Sequence, residues 1–287
     1  MKTSACVPVI PSIAPLAEET DAWLVDIWGV MHNGVTPFAD AVAACRRFKD
    51  GGGRVLLLSN APRPAASVAT QLDRIGVDRG AYDGIVTSGD VSRELIRSWS
   101  GQNVYHIGPE RDLPLFDGTG VRLCRAEDAE VLVCTGLRDD ETETPDDYAD
   151  VLGLASRNEL EMICANPDLK VERAGKIVWC AGGVAAAYAA LGGRVVYAGK
   201  PYLPIYDMAM DRVAEFRGGA VDMRRVLAIG DGVNTDIAGA IAAGLRSLYI
   251  ASPVHMDAGA ALTGEAVAAL FASLPGAPVA AMARLSW

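Results

Sequence analysis

Little in this sequence is built for membranes, thiolate metals or redox exchange. No uninterrupted run of about 18 apolar residues occurs, which leaves no candidate for a membrane-spanning helix. The first residues carry a single lysine, Lys2, and an apolar stretch broken by Pro8, Pro11 and Pro15, a poor core for a secretory signal. The six cysteines are scattered without a Cys-x-x-Cys pair, and none of the three histidines stands at ligand spacing beside them. A zinc site and a disulfide framework are therefore not indicated, and the thiols read as reduced, small, buried hydrophobes. Together these absences point to the cytoplasm. Positive charge is also scarce: the formal net charge is -10, so a nucleic acid would meet a repulsive field. There is no G-x-x-x-x-G-K-[ST] phosphate loop and no G-x-S-x-G nucleophile elbow. The G-x-G that begins at Gly230 lacks the third glycine of a dinucleotide fingerprint and comes late in the chain rather than at its first βα turn.

What is present is a foldable α/β pattern. Hydrophobic residues make up 51% and charged residues 22% of 287 residues, enough apolar material for two cores. Short apolar runs at residues 22–27, 54–58, 84–87, 194–197, 226–229 and 247–250 read as strands. They alternate with helix-like segments at 39–49 and 65–75, the signature of a parallel sheet covered on both faces. Gly51, Gly52 and Gly53 supply the left-handed turn that closes the first of these helices. From about residue 103 to 193 the rhythm changes, with strands near 104–107, 162–165 and 176–178 and a helix running toward Leu160. This predicts a discontinuous core of residues 1–102 and 194–287, interrupted by an inserted α+β domain of residues 103–193. The acidic run DDETETPDD reads as a solvated loop.

Four separated segments each follow a predicted strand, and in an open parallel sheet the carboxyl ends of strands converge on one crevice. In WLVDIWGV, Asp26 closes an apolar strand, a carboxylate able to act as nucleophile or metal ligand. VLLLSNAPRP offers the Ser59 hydroxyl and the amides after it to phosphate oxygens. AGKP places Lys200 where an ammonium can neutralise a transferring phosphoryl group. VLAIGDGVNTDI brings Asp231 and Asp236 to one glycine-rich turn. Taken singly, each has a bland reading as a cap, turn or solvated charge; the set, in this order, does not.

The set resembles the haloacid dehalogenase superfamily, in particular its large-cap subgroup (class IIA) of sugar-phosphate, pyridoxal-phosphate and nitrophenyl-phosphate phosphatases. DIWGV, LLSN, GKP and GDGVNTDI stand for its four motifs, and CANPD at residues 164–168 resembles its cap signature. The resemblance implies a Rossmann-like core with a cap and hydrolysis of a phosphorylated small molecule through an aspartyl-phosphate on Asp26. It further implies Mg2+ held by Asp26, Asp231 and the backbone carbonyl of Trp28, with Asp236 orienting Lys200 or a bound water from behind. Ser59, Asn60 and Lys200 would grip the phosphoryl group. Asn166, Asp168, Lys170 and Arg173, in or after the cap signature, would contact the substrate. Caps of this type often accompany a homodimer.

One position departs from the pattern. The family carries a second Asp two residues after the nucleophile, as acid for the leaving group and base for water, and here that residue is Trp28. Three readings follow: a leaving group that needs no proton, such as an aryl or acyl phosphate; a surrogate acid, His32 or a cap residue; or a protein that binds a phosphorylated ligand as a sensor without turnover. Cleavage of carbon–halogen or carbon–phosphorus bonds has no positive support in these residues.

Overall fold

The computed structural model describes residues 6–173, 176–251 and 262–287. Its strands are β1 (Ala22–Asp26), β2 (Arg54–Ser59) and β3 (Gly84–Thr87), then β4 (Asn103–Ile107), β5 (Arg122–Leu123), β6 (Val131–Cys134), β7 (Glu161–Cys164), β8 (Lys170–Arg173), β9 (Lys176–Trp179) and β10 (Arg194–Tyr197), and finally β11 (Val226–Gly230), β12 (Arg246–Ile250) and β13 (Ala280–Met282). Two compact units emerge. One comprises Met1–Ser59, Ala69–Val86 and Tyr206–Trp287, and the other Asn60–Val68 and Thr87–Ile205.

The first unit carries a six-stranded sheet in the order β13-β12-β11-β1-β2-β3. The pairs of β1 with β2, β1 with β11, β11 with β12 and β12 with β13 are parallel. Its central strands, AWLVD and VLAIG, are buried at every position, as a parallel strand covered by helices on both faces must be. Beside β1, the helix Ala39–Asp50 brings Phe48 flat against Trp23, ring centroids 3.9 Å apart and 2° from parallel. The Trp23 indole N–H donates to the Thr20 hydroxyl at 3.0 Å, so its one polar atom is satisfied within the core. The helix ends as the glycine run requires: Gly52 has φ +94°, and a Cβ on Gly53 would fall 2.4 Å from the Phe48 ring. Trp23→Ala would empty the largest fully buried side chain among the described residues and is expected to cost about 3–5 kcal/mol. Chemical denaturation checks this as a lower midpoint at unchanged slope.

The second unit has its own five-stranded sheet, β10-β7-β6-β4-β5, parallel throughout, and an antiparallel ribbon of β8 and β9. The two-domain α/β reading stands, and the inserted part is more regular than the α+β domain expected from its sequence. The strand at 194–197 forms where predicted, but it runs along β7 in this second sheet, Arg194 opposite Glu161 through Tyr197 opposite Cys164. The core therefore does not resume at Arg194. A helix followed by an edge strand gives the same alternation in either sheet, and only the pairing partner tells them apart. Leu132, Met162, Val184 and Tyr188 lie in the packed interior of this unit.

Candidate active site

In each sheet the chain first winds one way and then the other. In the first, β1 leads to β2 and β3 on one side, while β11, β12 and β13 build out from its other edge. The reversal falls between β1 and β11, and at such a switch point the diverging loops leave a crevice beyond the strand ends. Val25 pairs with Ile229, so Asp26 and the Gly230–Asp231 turn leave the sheet side by side.

Asp26, Asp231 and Asp236 are all buried, and each offers an oxygen within 4.8 Å of the others'. Local backbone makes this approach feasible. Gly29 has φ +86°, and a Cβ there would lie 2.3 Å from Asp231 Oδ2. A Cβ on Gly230 would lie 2.2 Å from the Asp236 side chain. Asp236 sits in the helical segment Val233–Ile237, whose winding turns its carboxylate back to accept the Gly232 N–H at 3.0 Å. Where the resemblance placed Asp236 behind the ligand group, the structure brings its carboxylate into the same cluster. Three buried carboxylates at this spacing repel one another in low dielectric, and an all-oxygen set that relieves the repulsion by sharing one hard divalent cation suits Mg2+ or Ca2+. The residues present fit such an ion.

The loop after Asp26 holds Trp28 and His32. Trp28 is 45% exposed. His32 is buried, and its Nδ1 accepts the Gly34 N–H at 2.8 Å, closing a turn in which Gly29 N–H donates to the His32 carbonyl. Burial holds the imidazole below its ordinary pKa of 6.5. It is thus a neutral acceptor that fastens its own loop, which speaks against His32 as surrogate acid: the protonated form would lose the bond to Gly34. Ser59 closes β2, one residue past Leu58, the register partner of Asp26.

The second unit holds the remaining motif residues. Asn60 and Lys200 are both buried and clasp each other: Lys200 N–H donates to Asn60 Oδ1 at 2.8 Å, and Asn60 Nδ2 donates to the Lys200 carbonyl at 3.0 Å. Asn60 Nδ2 also donates to Asp168 Oδ1 at 3.0 Å, and Asp168 N–H to Asn166 Oδ1 at 3.1 Å. Asn60, Lys200, Asp168 and Asn166 therefore form one bonded group. The small residues after the CANPD signature explain themselves here, since a Cβ on Gly182 would lie 2.2 Å from the Pro167 carbonyl oxygen. Lys170 is not part of the group: its ammonium lies over the Trp179 ring, 3.8 Å from the centroid. Arg173 ends β8, and its side chain lies outside the described residues.

Two residues without a motif of their own complete the picture. Asp112 and Thr135 are buried, and they line a cavity of about 480 Å³ together with Arg63, Arg111 and Asn166. Each follows a strand of the second sheet, so the rule applied to the first sheet is the signal that finds them.

The family of haloacid dehalogenase-like hydrolases matches residues 23–122, and a second family described as HAD-hydrolase-like matches residues 197–277. A crystal structure of a haloacid dehalogenase-like hydrolase from Brucella suis is 43% identical, with a TM-score of 0.83, covering 96% of this chain and 100% of that one. The D-glycerol 3-phosphate phosphatase of Mycobacterium tuberculosis is 31% identical over 245 residues, which is 84% of this chain and 65% of that protein's length. Crystal structures of a glycerol phosphate phosphatase from the same organism, with calcium and with magnesium, are 27% identical, with TM-scores of 0.64. They cover 82% of this chain and 67–68% of theirs. Among the described residues no helix is long and apolar enough to cross a membrane.

Proposed function

The chain belongs to the haloacid dehalogenase-like hydrolases, and on that premise we propose that it hydrolyses a small phosphate ester through covalent attack by Asp26. The observation that carries this reading is the trio of Asp26, Asp231 and Asp236, gathered within 4.8 Å at the switch point of the first sheet. The identity to a glycerol phosphate phosphatase supports a small, phosphorylated substrate.

Asp26 at the end of β1 attacks phosphorus, and the bond from phosphorus to the leaving oxygen breaks. The leaving oxygen takes its proton from solvent, since position 28 offers no carboxyl group. Water then attacks phosphorus in the aspartyl-phosphate, releasing inorganic phosphate and restoring the Asp26 carboxylate. Lys200, in a buried setting where charge counts most, offsets the negative charge of the phosphoryl group. The hydroxyl of Ser59 and the amide of Asn60 hold its oxygens, while the Asn60 side chain fixes the backbone of Lys200. Asp26, Asp231, Asp236 and the carbonyl of Trp28 are the groups that would hold Mg2+. When bound there, the cation supplies Lewis-acid polarisation of a phosphoryl oxygen. Six free thiols fit a reducing compartment such as the cytoplasm.

Incubating the protein and magnesium with alkyl, aryl and acyl phosphates tests the proposal by release of inorganic phosphate. Chelation is expected to lower that release at least about 10³-fold, with recovery on adding Mg2+. Full activity in excess chelator would contradict the cation's place in the account. The exposed indole of Trp28 favours one other reading, a phospho-ligand sensor. It predicts calorimetric binding of phosphate esters with no release from any of them.

A further inference from the structure

The loop that follows Asp26 runs through MHNGVT and contains the only Asn-Gly step in the sequence, Asn33–Gly34. In such a pair the main chain can attack the side chain before it: a bond from the Gly34 nitrogen to the Asn33 amide carbon closes a five-membered ring. Glycine carries no Cβ to screen that nitrogen. The attack needs a base at the Gly34 N–H, donors on the Asn33 side-chain oxygen, and water to open the ring.

One turn supplies all three. Gly34 N–H donates to His32 Nδ1 at 2.8 Å. A backbone N–H only donates, so this ring nitrogen carries no proton and already faces the hydrogen that must leave. Asn33 Oδ1 accepts the Val35 N–H at 3.0 Å, the Thr36 N–H at 2.8 Å and the Thr36 hydroxyl at 3.3 Å. Donors gathered on a carbonyl oxygen make its carbon more electrophilic and stabilise the negative charge that attack places there. Asn33, Gly34, Val35 and Thr36 are exposed while His32 is buried, so the base is held in place and the attacked group meets water. The turn itself is fixed: Asn33 N–H donates to the Thr36 carbonyl at 3.2 Å, Phe38 N–H to the Met31 carbonyl at 2.8 Å, and Gly34 has φ +91°. Base, nucleophile and electrophile are thus held together by the fold, which the unfolded chain cannot do.

We infer that Asn33–Gly34 is a site of self-modification, at which the folded loop converts its own asparagine through a cyclic imide into aspartate and isoaspartate. His32 Nδ1 takes the Gly34 amide proton as the bond from that nitrogen to Asn33 Cγ forms. The tetrahedral centre collapses, the bond from Cγ to Nδ2 breaks, and the nitrogen leaves as ammonia with the proton held by His32. Water then adds to one of the two imide carbonyls. Opening at Cγ gives aspartate, and opening at the main-chain carbon gives isoaspartate. Both products add a negative charge to the loop after Asp26, and isoaspartate also lengthens its main chain by one methylene inside the turn that Asn33 and Thr36 close. This chemistry is independent of phosphate hydrolysis and needs neither substrate nor cation.

The test is to warm the purified full-length protein at neutral pH beside the same chain unfolded in urea at the same pH and temperature. Peptide mapping by mass spectrometry follows the amide-to-acid mass gain at position 33, and labelling by an isoaspartyl methyltransferase counts the isoaspartate. The native protein should convert at least about tenfold faster than the unfolded chain, with isoaspartate among the products. A native rate equal to or below the unfolded one overturns the inference, as does aspartate without isoaspartate, the mark of direct hydrolysis. His32→Phe keeps an aromatic ring in the buried place but removes the base, and should slow the native conversion at least about tenfold. An unchanged rate in that variant also overturns it, and the wild-type comparison stands whether or not the variant folds.

Discussion

Trp28→Asp is expected to raise kcat/KM on an alkyl phosphate by about 10²- to 10⁴-fold, the usual contribution of a positioned acid. The gain on nitrophenyl phosphate should be much smaller. An alkoxide is a strong base that leaves poorly without a proton, whereas nitrophenolate is a weak one that departs unaided. The ratio kcat/KM reports steps up to the first irreversible one, here phosphoryl transfer to Asp26, and so isolates the acid's part from the later attack by water. The loop can accept the change: Trp28 is 45% exposed, so shortening it opens no core cavity, and the turn around it is held by backbone bonds and His32. Equal gains on both esters, or none, would count against the idea that position 28 limits proton transfer.

Asp26→Asn is expected to lower phosphate release by at least about 10⁴-fold on every ester, because an amide oxygen is a far weaker nucleophile than a carboxylate. The substitution is nearly isosteric at a buried strand end. Circular dichroism and the denaturation midpoint should therefore stay close to wild type, and ligand binding should persist. Removing one of three crowded carboxylates even lessens their mutual repulsion. A variant that keeps wild-type turnover would remove Asp26 from the chemistry.

The central strands are legible in the sequence because burial on both faces leaves no polar position in AWLVD except the last. The functional carboxylates are legible because each ends such a run. What escapes a reading of residues alone depends on winding and pairing. Whether Asp236, five residues past Asp231, points away or back is set by the helical turn that bonds it to Gly232, which no spacing rule supplies. The strand at 194–197 has the right composition for either sheet, and only its ladder with β7 assigns it. Lys170 has the charge and the position of a substrate contact, but an aromatic neighbour across the β8–β9 ribbon captures its ammonium. Asp112 and Thr135 belong to no motif, and they come into view as lining of a cavity only when the strand-end rule is extended from the first sheet to the second.

The account's central claim is that Asp26 carries the phosphoryl group and that Trp28 leaves its removal unaided. Water attacking the aspartyl-phosphate without a base should be the slow half, so the intermediate should accumulate. Acid quenching the protein during turnover of labelled nitrophenyl phosphate, followed by peptide mapping, reads this directly. The account predicts a burst of nitrophenolate and near-stoichiometric label on the peptide that contains Asp26. Steady turnover with no label there, or label on another residue, would contradict it.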